Sequence, residues 1–344
     1  MKADHLVKIL AERGVSSRRG SEKLVRAGEV TVDGVVVAEP GALVDPFNQV
    51  VLVGGFRLPA RPKSQYLVLH KPKAVITSRT DPEQRPTVHS LLGDQYATVE
   101  SVGRLDYWTE GLLLLTNDGE LAFRLTHPSY QVPKTYLVKV TGTPQPRNLK
   151  VLERGVELED GKTGPAAVEI VRTVGPSSWI LITLCEGRNR VVRRMVEDIG
   201  HRVLKLKRVG FAGIPLKDLP VGEARELTRG EVDHLKRLVA KPTTKPRLTV
   251  PFQVQEAVAE ALHLPKPERP RREDRVRHRD TEGRPFRKAG WARPKPKASR
   301  PAAGGRKSSK AGGGKIGGPK AVGGKGGGKG GGKGGGKGGG KPKG

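Results

Sequence analysis

The sequence predicts an α+β protein of three parts: a small N-terminal module, a larger domain built on a largely antiparallel mixed sheet, and a disordered basic tail. Up to about residue 240 the chain shows hairpins and few helices, a mixture that predicts an α+β fold. A proline-containing linker, FRLPARPKS, and a change of composition near Pro242 separate the parts. We place the boundaries at residues 1–60, 61–240 and 241–344.

The N-terminal module is predicted to contain two helices and a hairpin. The segment LVKILAERG has apolar residues at helical spacing. SRRGSEKLVRAG predicts a second helix, which Ser16 or Ser17 caps and Gly28 ends. VTVDGVVV is typical of two short strands around a tight Asp33-Gly34 turn.

The second helix of the module carries a one-sided basic cluster. Two interpretations are open: a solvated charged face, or a surface that contacts the phosphates of a nucleic acid. The helices and hairpin together resemble the S4 RNA-binding module, and this resemblance implies that the cluster contacts RNA. The predicted RNA-binding residues of the module are Arg18, Arg19, Lys23 and Arg26.

The larger domain alternates strand and helix signals. Apolar alternation predicts strands in YLVLHKPKAVITS, KTYLVKVTG, AAVEIVRTV, WILITLCEG and RVLKLKRVGF, and GLLLLTNDGE is typical of a buried strand that ends in a turn. Helical spacing predicts helices in ELAFRLTH and NRVVRRMVEDIG. The apolar stripe of the second helix consists of Val192, Met195, Val196 and Ile199.

The charge of the chain is concentrated in its tail. The 344 residues carry a formal net charge of +29, and residues 241–344 hold 28 Lys and Arg against 7 Asp and Glu. The remainder, at about +8, is moderately basic, which favours a polyanionic partner for the whole chain. Because the final KGGG repeats contain almost nothing to bury, we expect this tail to be disordered. Within it, EAVAEALHL (256–264) could form one short helix that docks on the body.

Several function classes are not favoured. No apolar run approaches the roughly 20 residues of a membrane-spanning helix, and MKADHLVKILAERG is not typical of a signal peptide. Cys185 is the single cysteine, which excludes a disulfide framework and a cysteine zinc cluster. His70, His89 and His127 lack metal-ligand spacing. We therefore expect a cytoplasmic protein that binds nucleic acid, with no metal site and no membrane partner.

Asp106, in SVGRLDYWTEGLLLLTNDGE, is the most informative acidic residue. A carboxylate just ahead of a buried strand is costly unless it is paired or functional. Arg104 would share its face if the chain is extended here. The arginine cluster EGRNRVVRRM, residues 186–195, could hold phosphates and keep a carboxylate ionised. A structural ion pair and a catalytic role both remain open for Asp106.

Several segments resemble the RsuA-type family of pseudouridine synthases. They match in order up to about Leu238 and include HKPKAVITSRTDPEQRPTVHSLL, GRLD, TEGLLLLTNDGEL, HPSYQVPKTYLV, EGRNRVVRRMVEDIGHRVLKLKRVGF and DLPVGEARELT. EGRNR, VELEDGKTGPAA and the long basic tail are most similar to the RluB branch, which modifies large-subunit ribosomal RNA. The resemblance implies an isomerase that detaches a uracil from C1′ of its ribose and reattaches it through C5, without a cofactor. The implied partner is ribosomal RNA, in this branch 23S rRNA or a large-subunit precursor.

The resemblance also implies catalytic roles for three residues. Asp106 corresponds to the family's nucleophile, which forms the bond at C1′ or assists a glycal intermediate. Tyr136 corresponds to the tyrosine that stacks on the target base, and without the resemblance it would be an ordinary strand aromatic. Arg193 corresponds to the arginine that pairs with the nucleophile.

Further residues are implied to hold the RNA. Arg104 would occupy the region that the flipped nucleotide leaves, and Lys71 would contact a phosphate or the neighbouring loop. Trp108 stands where the family often has an acidic or amide residue, and either stacks on RNA or packs. The basic segment contributes Arg188, Arg190 and Arg194.

A second functional class remains open beside the enzyme. A ribosome-assembly factor or RNA chaperone could use the module and the tail to bind RNA without catalysis. Only the combination of Asp106, Tyr136 and Arg193 favours the enzyme over such a binding protein.

Overall fold

The computed structural model of the protein describes residues 3–265 and 267. The predicted tail from residue 268 onward lies outside the described residues. Within the described part, no helix is long and apolar enough to cross a membrane.

The N-terminal module has the predicted order of helices and strands. Its hydrophobic core is formed by Leu6, Leu10 and Val25 from the helices and by Val30 and Val51 from the strands. The elements are β1 (Asp4–His5), α1 (Leu6–Glu12), α2 (Arg18–Arg26), β2 (Val30–Val32), β3 (Val35–Val36), β4 (Leu43–Val44), β5 (Val51–Val53) and β6 (Phe56–Arg57).

Local chemistry explains both the helix start and the hairpin of this module. The Ser17 hydroxyl accepts a hydrogen bond from the backbone N–H of Gly20 at 3.1 Å and so caps α2. Asp33 and Gly34 have φ values of 52° and 83°, which are the left-handed conformations that a tight hairpin turn requires. The predicted cap and turn are therefore confirmed.

The larger domain contains the remaining elements. They are β7 (Tyr66–Lys71), β8 (Glu100–Ser101), β9 (Glu110–Thr116), α3 (Gly119–Thr126), β10 (Lys134–Thr141), α4 (Pro146–Arg154), β11 (Glu157–Leu158), β12 (Gly161–Lys162), β13 (Ala167–Val174), β14 (Ser177–Leu184), α5 (Val191–Asp198), β15 (Val203–Phe211), β16 (Ile214–Pro215), β17 (Ala224–Glu226), α6 (Arg229–Leu238) and α7 (Phe252–Ala261). Short 3₁₀ turns occur at His89–Leu91, Asp94–Tyr96 and Pro128–Tyr130.

β11 and β12 pair only with each other, and the other strands of this domain form one large mixed sheet in the order β13-β14-β10-β15-β9-β7-β17. β16 pairs with β15, and β8 pairs with β9. All these pairings are antiparallel except that between β9 and β15, which is parallel. The predicted largely antiparallel mixed sheet is confirmed.

Strand β9 is buried on both faces, because successive leucines point to opposite sides of the sheet. Leu113 and Leu115 belong to a core with residues of α4 and α5. Leu112 and Leu114 belong to a second core with residues of α3 and α6. The run of four leucines therefore anchors the strand that follows Asp106 between two helical layers.

The structured part extends beyond the predicted boundary at residue 240. In α7, Val254 and Val258 pack in one apolar cluster with Leu137, Leu181 and Val209 of the sheet. The assignment of residues 241–344 to a disordered tail is therefore wrong for the segment up to about residue 265. The short helix predicted in EAVAEALHL is formed as α7, which begins at Phe252, and it packs on the body through its apolar face.

Candidate active site

The loop between β8 and β9 carries Asp106 into a cleft. The backbone of residues 102–109 is irregular, so the extended strand expected around Arg104 and Asp106 is not formed. Leu105 is nevertheless buried in the core, while Arg104 and Asp106 on either side of it both line the cleft. The two side chains therefore lie on the same side, as expected, although the chain forms a loop here and not a strand.

Two residues outside the loop hold its backbone in place. The Thr77 hydroxyl donates to the Leu105 carbonyl at 2.7 Å and accepts from the Leu105 N–H at 3.2 Å. Lys71 Nζ donates to the carbonyl oxygens of Asp106 at 3.2 Å and of Thr109 at 3.0 Å. The loop that carries Asp106 is thus held by hydrogen bonds from Lys71 and Thr77 to its carbonyl groups.

Lys71 is not available to RNA. Its side chain is 0% exposed at the end of β7, and a further bond joins Nζ to the Pro72 carbonyl at 2.9 Å. Burial lowers the pKa of Lys71 to about 8, since the charged ammonium loses its hydration there. The predicted phosphate contact is wrong. The predicted alternative, a contact with the neighbouring loop, is the contact that Lys71 makes.

The cleft has a volume of about 140 Å³ and contains one carboxylate among several cations. Tyr136 is nearly buried on β10, where its register partners are Ile182 of β14 and Arg208 of β15. The charged and aromatic lining residues are Arg104, Asp106, Lys134, Tyr136, Arg188, Arg190, Arg208 and Phe211. The structure therefore brings Asp106 and Tyr136 together.

Two cations of this cleft, Lys134 and Arg208, were not predicted from the sequence. Lys134 precedes Tyr136 by two residues in β10, and Arg208 follows the buried Leu206 by two residues in β15. Alternate residues of a strand share a face, so a Lys or Arg two residues from a buried strand residue lies on the same buried face. This spacing could have identified both cations from the sequence.

Arg193 lies near Asp106 but does not contact it. No nitrogen of Arg193 is within 4.0 Å of a carboxylate oxygen in the described structure, and its Nε is buried without a hydrogen-bond partner there. Burial and the neighbouring Arg190 lower the pKa of Arg193, whereas the negative charge of Asp106 acts to raise it. The closed Arg193–Asp106 ion pair is not formed.

The three other arginines of the basic segment have different surroundings. Arg190 precedes α5 with φ 48° and ψ 28°, and its exposed side chain lines the cleft. Arg194 instead makes two bonds of 2.8 and 3.0 Å to the carboxylate of Asp160, in the turn between β11 and β12. Arg188 donates to Asp160 at 3.0 Å and to Glu186 at 3.1 Å.

These ion pairs give protein partners to two of the residues predicted to contact RNA. Arg188 also lines the cleft, and its contact with RNA stays a prediction. Arg194 and Arg188 tie the β11–β12 hairpin to the start of α5 through carboxylates that hold their guanidinium groups, and Arg194 does not line the cleft. Arg190 and Arg194 face different surroundings because Arg190 lies outside the helix in a left-handed conformation. Asp160, the residue that binds Arg188 and Arg194, was not identified from the sequence.

A larger groove of about 450 Å³ adjoins the cleft. It is lined by Arg18 of the N-terminal module and by the exposed Phe123 of α3, and Gly103 and Thr126 line both concavities. The four predicted basic residues of α2 are all exposed. Of these, Arg26 is bound to Glu22 at 2.9 Å.

Trp108 is 62% exposed beside the Asp106 loop. Its only aromatic contact among the described residues is an edge-on one with Tyr107, with ring centroids 4.9 Å apart. The packing interpretation of Trp108 is therefore wrong, and an exposed indole remains beside the cleft. Among the residues that the structure describes, no group of three or more His, Cys, Asp or Glu could hold a metal ion.

Comparison with known proteins identifies two matching family models. The model described as RNA pseudouridylate synthase matches residues 65–198. The S4 domain model matches residues 6–50. Both matches lie in the parts of the chain where the sequence analysis found the corresponding resemblances.

Individual relatives cover most of the chain. Ribosomal large subunit pseudouridine synthase B of Bacillus subtilis is 45% identical over 237 residues, which are 68% of this chain and 96% of that protein. A protein of the same name from Shigella flexneri is 40% identical over 249 residues, 70% of this chain and 85% of the relative. A solved structure of a pseudouridylate synthase is 29% identical, with a TM-score of 0.50 over 67% of this chain and 99% of the other.

Proposed function

This chain belongs to the RNA pseudouridylate synthase family, and we propose that it converts a uridine of large-subunit ribosomal RNA to pseudouridine with Asp106 as the nucleophile. One observation carries the assignment of Asp106. The loop that holds it is bound through its backbone by Lys71 and Thr77, and its side chain lines a cleft with Tyr136. Such support keeps a reactive group in a fixed position.

The Asp106 carboxylate is suited to attack or assist at C1′ of the ribose. Its oxygens receive no hydrogen bond and lie within 4.0 Å of no cationic nitrogen among the described residues, so its lone pairs are not engaged by the protein. Several cations line the same cleft. A bond to C1′ and a glycal intermediate both remain compatible with this position.

Neighbouring side chains supply the other roles in this proposal. Tyr136 stacks on the target uracil from the floor of the cleft. Arg104, exposed beside Asp106, fills the space that the flipped nucleotide leaves. Arg193 approaches Asp106 and pairs with it when RNA occupies the cleft.

The proposed path of the RNA crosses the cleft and the adjoining groove. Arg190 holds a phosphate at the cleft, and Arg18, Arg19 and Lys23 of α2 hold phosphates beyond the groove. The names of the relatives from Bacillus subtilis and Shigella flexneri support 23S rRNA or its precursor as the substrate. We place the reaction in the cytoplasm, where ribosomal RNA of a bacterial type is assembled.

The test is turnover by the purified full chain on large-subunit ribosomal RNA from cells that lack the protein. We expect wild type to form pseudouridine at a defined position and Asp106→Asn to form none while binding the RNA with unchanged affinity. Asp233→Asn, which changes an exposed aspartate of α6, is the matched control and should react like wild type. Binding without product by the wild-type protein would favour the assembly factor or RNA chaperone instead.

A further inference from the structure

Two cations are buried under the cleft without a compensating carboxylate. Lys134 is 7% exposed and Arg208 is 2% exposed. Within the described chain, no carboxylate oxygen lies within 4.0 Å of a side-chain nitrogen of either residue. A buried charge is costly unless a partner stabilises it, so the position of this pair calls for an anion.

Both cations keep donor capacity that the described protein does not use. Lys134 Nζ, with three donors, bonds the carbonyl oxygens of Val132 at 3.0 Å and Cys185 at 3.3 Å. Arg208 Nε donates to the Leu112 carbonyl at 2.7 Å, but its Nη2 is buried with no hydrogen-bond partner. The unused donors belong to residues that line the cleft.

The Phe211 ring and Tyr136 fix where this pair lies. Lys134 Nζ is 5.6 Å and Arg208 Cζ is 4.9 Å from the centroid of the Phe211 ring, so both cations are held against one aromatic side chain. Lys134 and Tyr136 share a face of β10, and Tyr136 is opposite Arg208 in register. A pyrimidine ring that stacks on Tyr136 therefore lies beside both cations.

We propose that Lys134 and Arg208 form the binding site for the uracil after it has left the ribose, and that they stabilise its negative charge. This inference rests on the proposed function. When the N1–C1′ bond breaks, its electron pair remains on the base, which becomes an anion with charge shared by N1, O2 and O4. The exocyclic oxygens then accept hydrogen bonds from the Lys134 ammonium and the Arg208 guanidinium.

The same site restrains the base while it turns. C5 of the turned ring forms the new bond to C1′, the proton on C5 is lost, and N1 gains a proton, so the isomerisation leaves no net charge. A site that holds the free anion prevents its escape into water between the two bond changes. Fixed charges in a water-poor cleft contribute most to such a short-lived anion, because they need no reorganisation during the reaction.

A purely structural role of Lys134 makes a different prediction. The bonds to Val132 and Cys185 join the ends of two strands, and such a tie contributes to folding whether or not an anion is present. Removal of these hydrogen bonds lowers the stability of the fold. Removal of a positive charge that the reaction requires lowers the reaction rate and changes the dependence of that rate on pH.

The charge of Lys134 is sensitive to pH near neutrality. Burial, reinforced by the positive charge of Arg208, lowers the pKa of Lys134 to about 8. The ammonium is therefore present below this pH and lost as the pH rises through it. Besides Arg208, the charged or titratable groups around it are Arg104, Asp106, Tyr136, Cys185, Glu186, Arg188 and Arg190.

The test measures kcat/KM for pseudouridine formation between pH 6.5 and 9.5, because this parameter reports ionisations of the free enzyme. For wild type we expect kcat/KM to fall tenfold for each pH unit above about 8. Lys134→Arg retains the charge and should show a shallower decline than wild type, because Lys71 also has a pKa of about 8. Lys134→Met should lower the rate by about 10²-fold or more and show the same shallower decline. Lys139→Met, on the opposite face of β10, is the matched control.

The outcomes separate this inference from the proposed function. If wild type forms no pseudouridine, the proposed function fails and the inference fails with it. If wild type is active but its profile does not decline above pH 8, or Lys134→Arg shows the same decline, the inference alone is overturned. A Lys134→Met protein that is folded and reacts within threefold of wild type also overturns it. If that variant does not fold, the comparison of wild type with Lys134→Arg decides the question.

Discussion

At the scale of single residues, Lys71 supports the active-site loop without reaching the substrate. Its ammonium binds three carbonyl groups within 3.2 Å, those of Pro72, Asp106 and Thr109. A neutral side chain at this position would leave these acceptors buried without a donor. The loop would then lose the contacts that set the position of Asp106.

We predict that Lys71→Met lowers the free energy of unfolding by about 1–3 kcal/mol, because buried acceptors lose their donor. We also expect kcat to fall by about 10²-fold, since a displaced nucleophile reacts slowly. The dissociation constant for RNA and its salt dependence should not change. Lys73→Met, at an exposed neighbouring position, serves as the control. A weaker affinity with a shallower salt slope would show that Lys71 contacts a phosphate after all.

The same scale shows where the sequence was least informative about the site. Asp106 and Tyr136 could be placed together because they lie in segments that resemble a known family. The partners of Arg188 and Arg194 could not be predicted, because Asp160 is distant in sequence and lies in a hairpin whose packing depends on the folded sheet. Long-range ion pairs of this kind leave no periodic signal.

At the scale of elements, the parallel contact between β9 and β15 brings Arg208 of β15 next to the Asp106 loop, which precedes β9. Gly111 of β9 is paired with Arg208 of β15 and has a φ of 124°. A Cβ atom at this position would overlap the backbone nitrogen and oxygen of Arg208. The glycine therefore permits the close approach that places Arg208 beside the Asp106 loop.

We predict that Gly111→Ala lowers the free energy of unfolding by about 2–4 kcal/mol, because it adds overlap and backbone strain at once. Activity should fall more than stability alone explains, as the strands that carry Arg208 and follow Asp106 move apart. Chemical denaturation and kcat are the measurements. Gly230→Ala, on the open face of α6, should instead raise stability slightly. Unchanged activity in a folded Gly111→Ala protein would contradict this role of the strand junction.

The elements themselves were largely predictable, for identifiable reasons. Helix α5 buries Val192, Met195 and Val196 as its spacing indicated, and the Asp33-Gly34 turn has the conformation that its residues favour. Pairing order and the parallel junction could not be predicted, because they depend on contacts between segments far apart in sequence. Helix α7 overlaps the short helix predicted in EAVAEALHL, and it packs on the sheet through Val254 and Val258. Only the assignment of this segment to the disordered tail was wrong.

At the scale of the whole molecule, most of the excess positive charge follows residue 267. Residues 268–344 contain 24 Lys and Arg against 5 Asp and Glu. The preceding helix α7 is apolar enough to pack on the sheet through Val254 and Val258. A truncation that removes the charge of the tail without removing the packing of α7 must therefore end after α7.

We predict that a chain of residues 1–267 binds ribosomal RNA more weakly at physiological salt, with a shallower dependence of affinity on salt, because fewer counterions are released. Its kcat at saturating RNA should equal that of the full chain. A chain that ends at residue 250 should be less stable, since each large apolar side chain of the cluster that becomes exposed costs about 1.5–3 kcal/mol. Loss of kcat by the 1–267 chain would show that the tail does more than attract RNA.

The most direct test of the central claim is a pseudouridine map of ribosomal RNA from cells that lack this protein, complemented with wild type or with Asp106→Ala. The account predicts that a large-subunit site loses pseudouridine in the deletion strain and regains it with wild type but not with Asp106→Ala. This result would establish the activity, its target and its nucleophile together. Restoration of the site by Asp106→Ala, or an unchanged map in the deletion strain, would contradict the account.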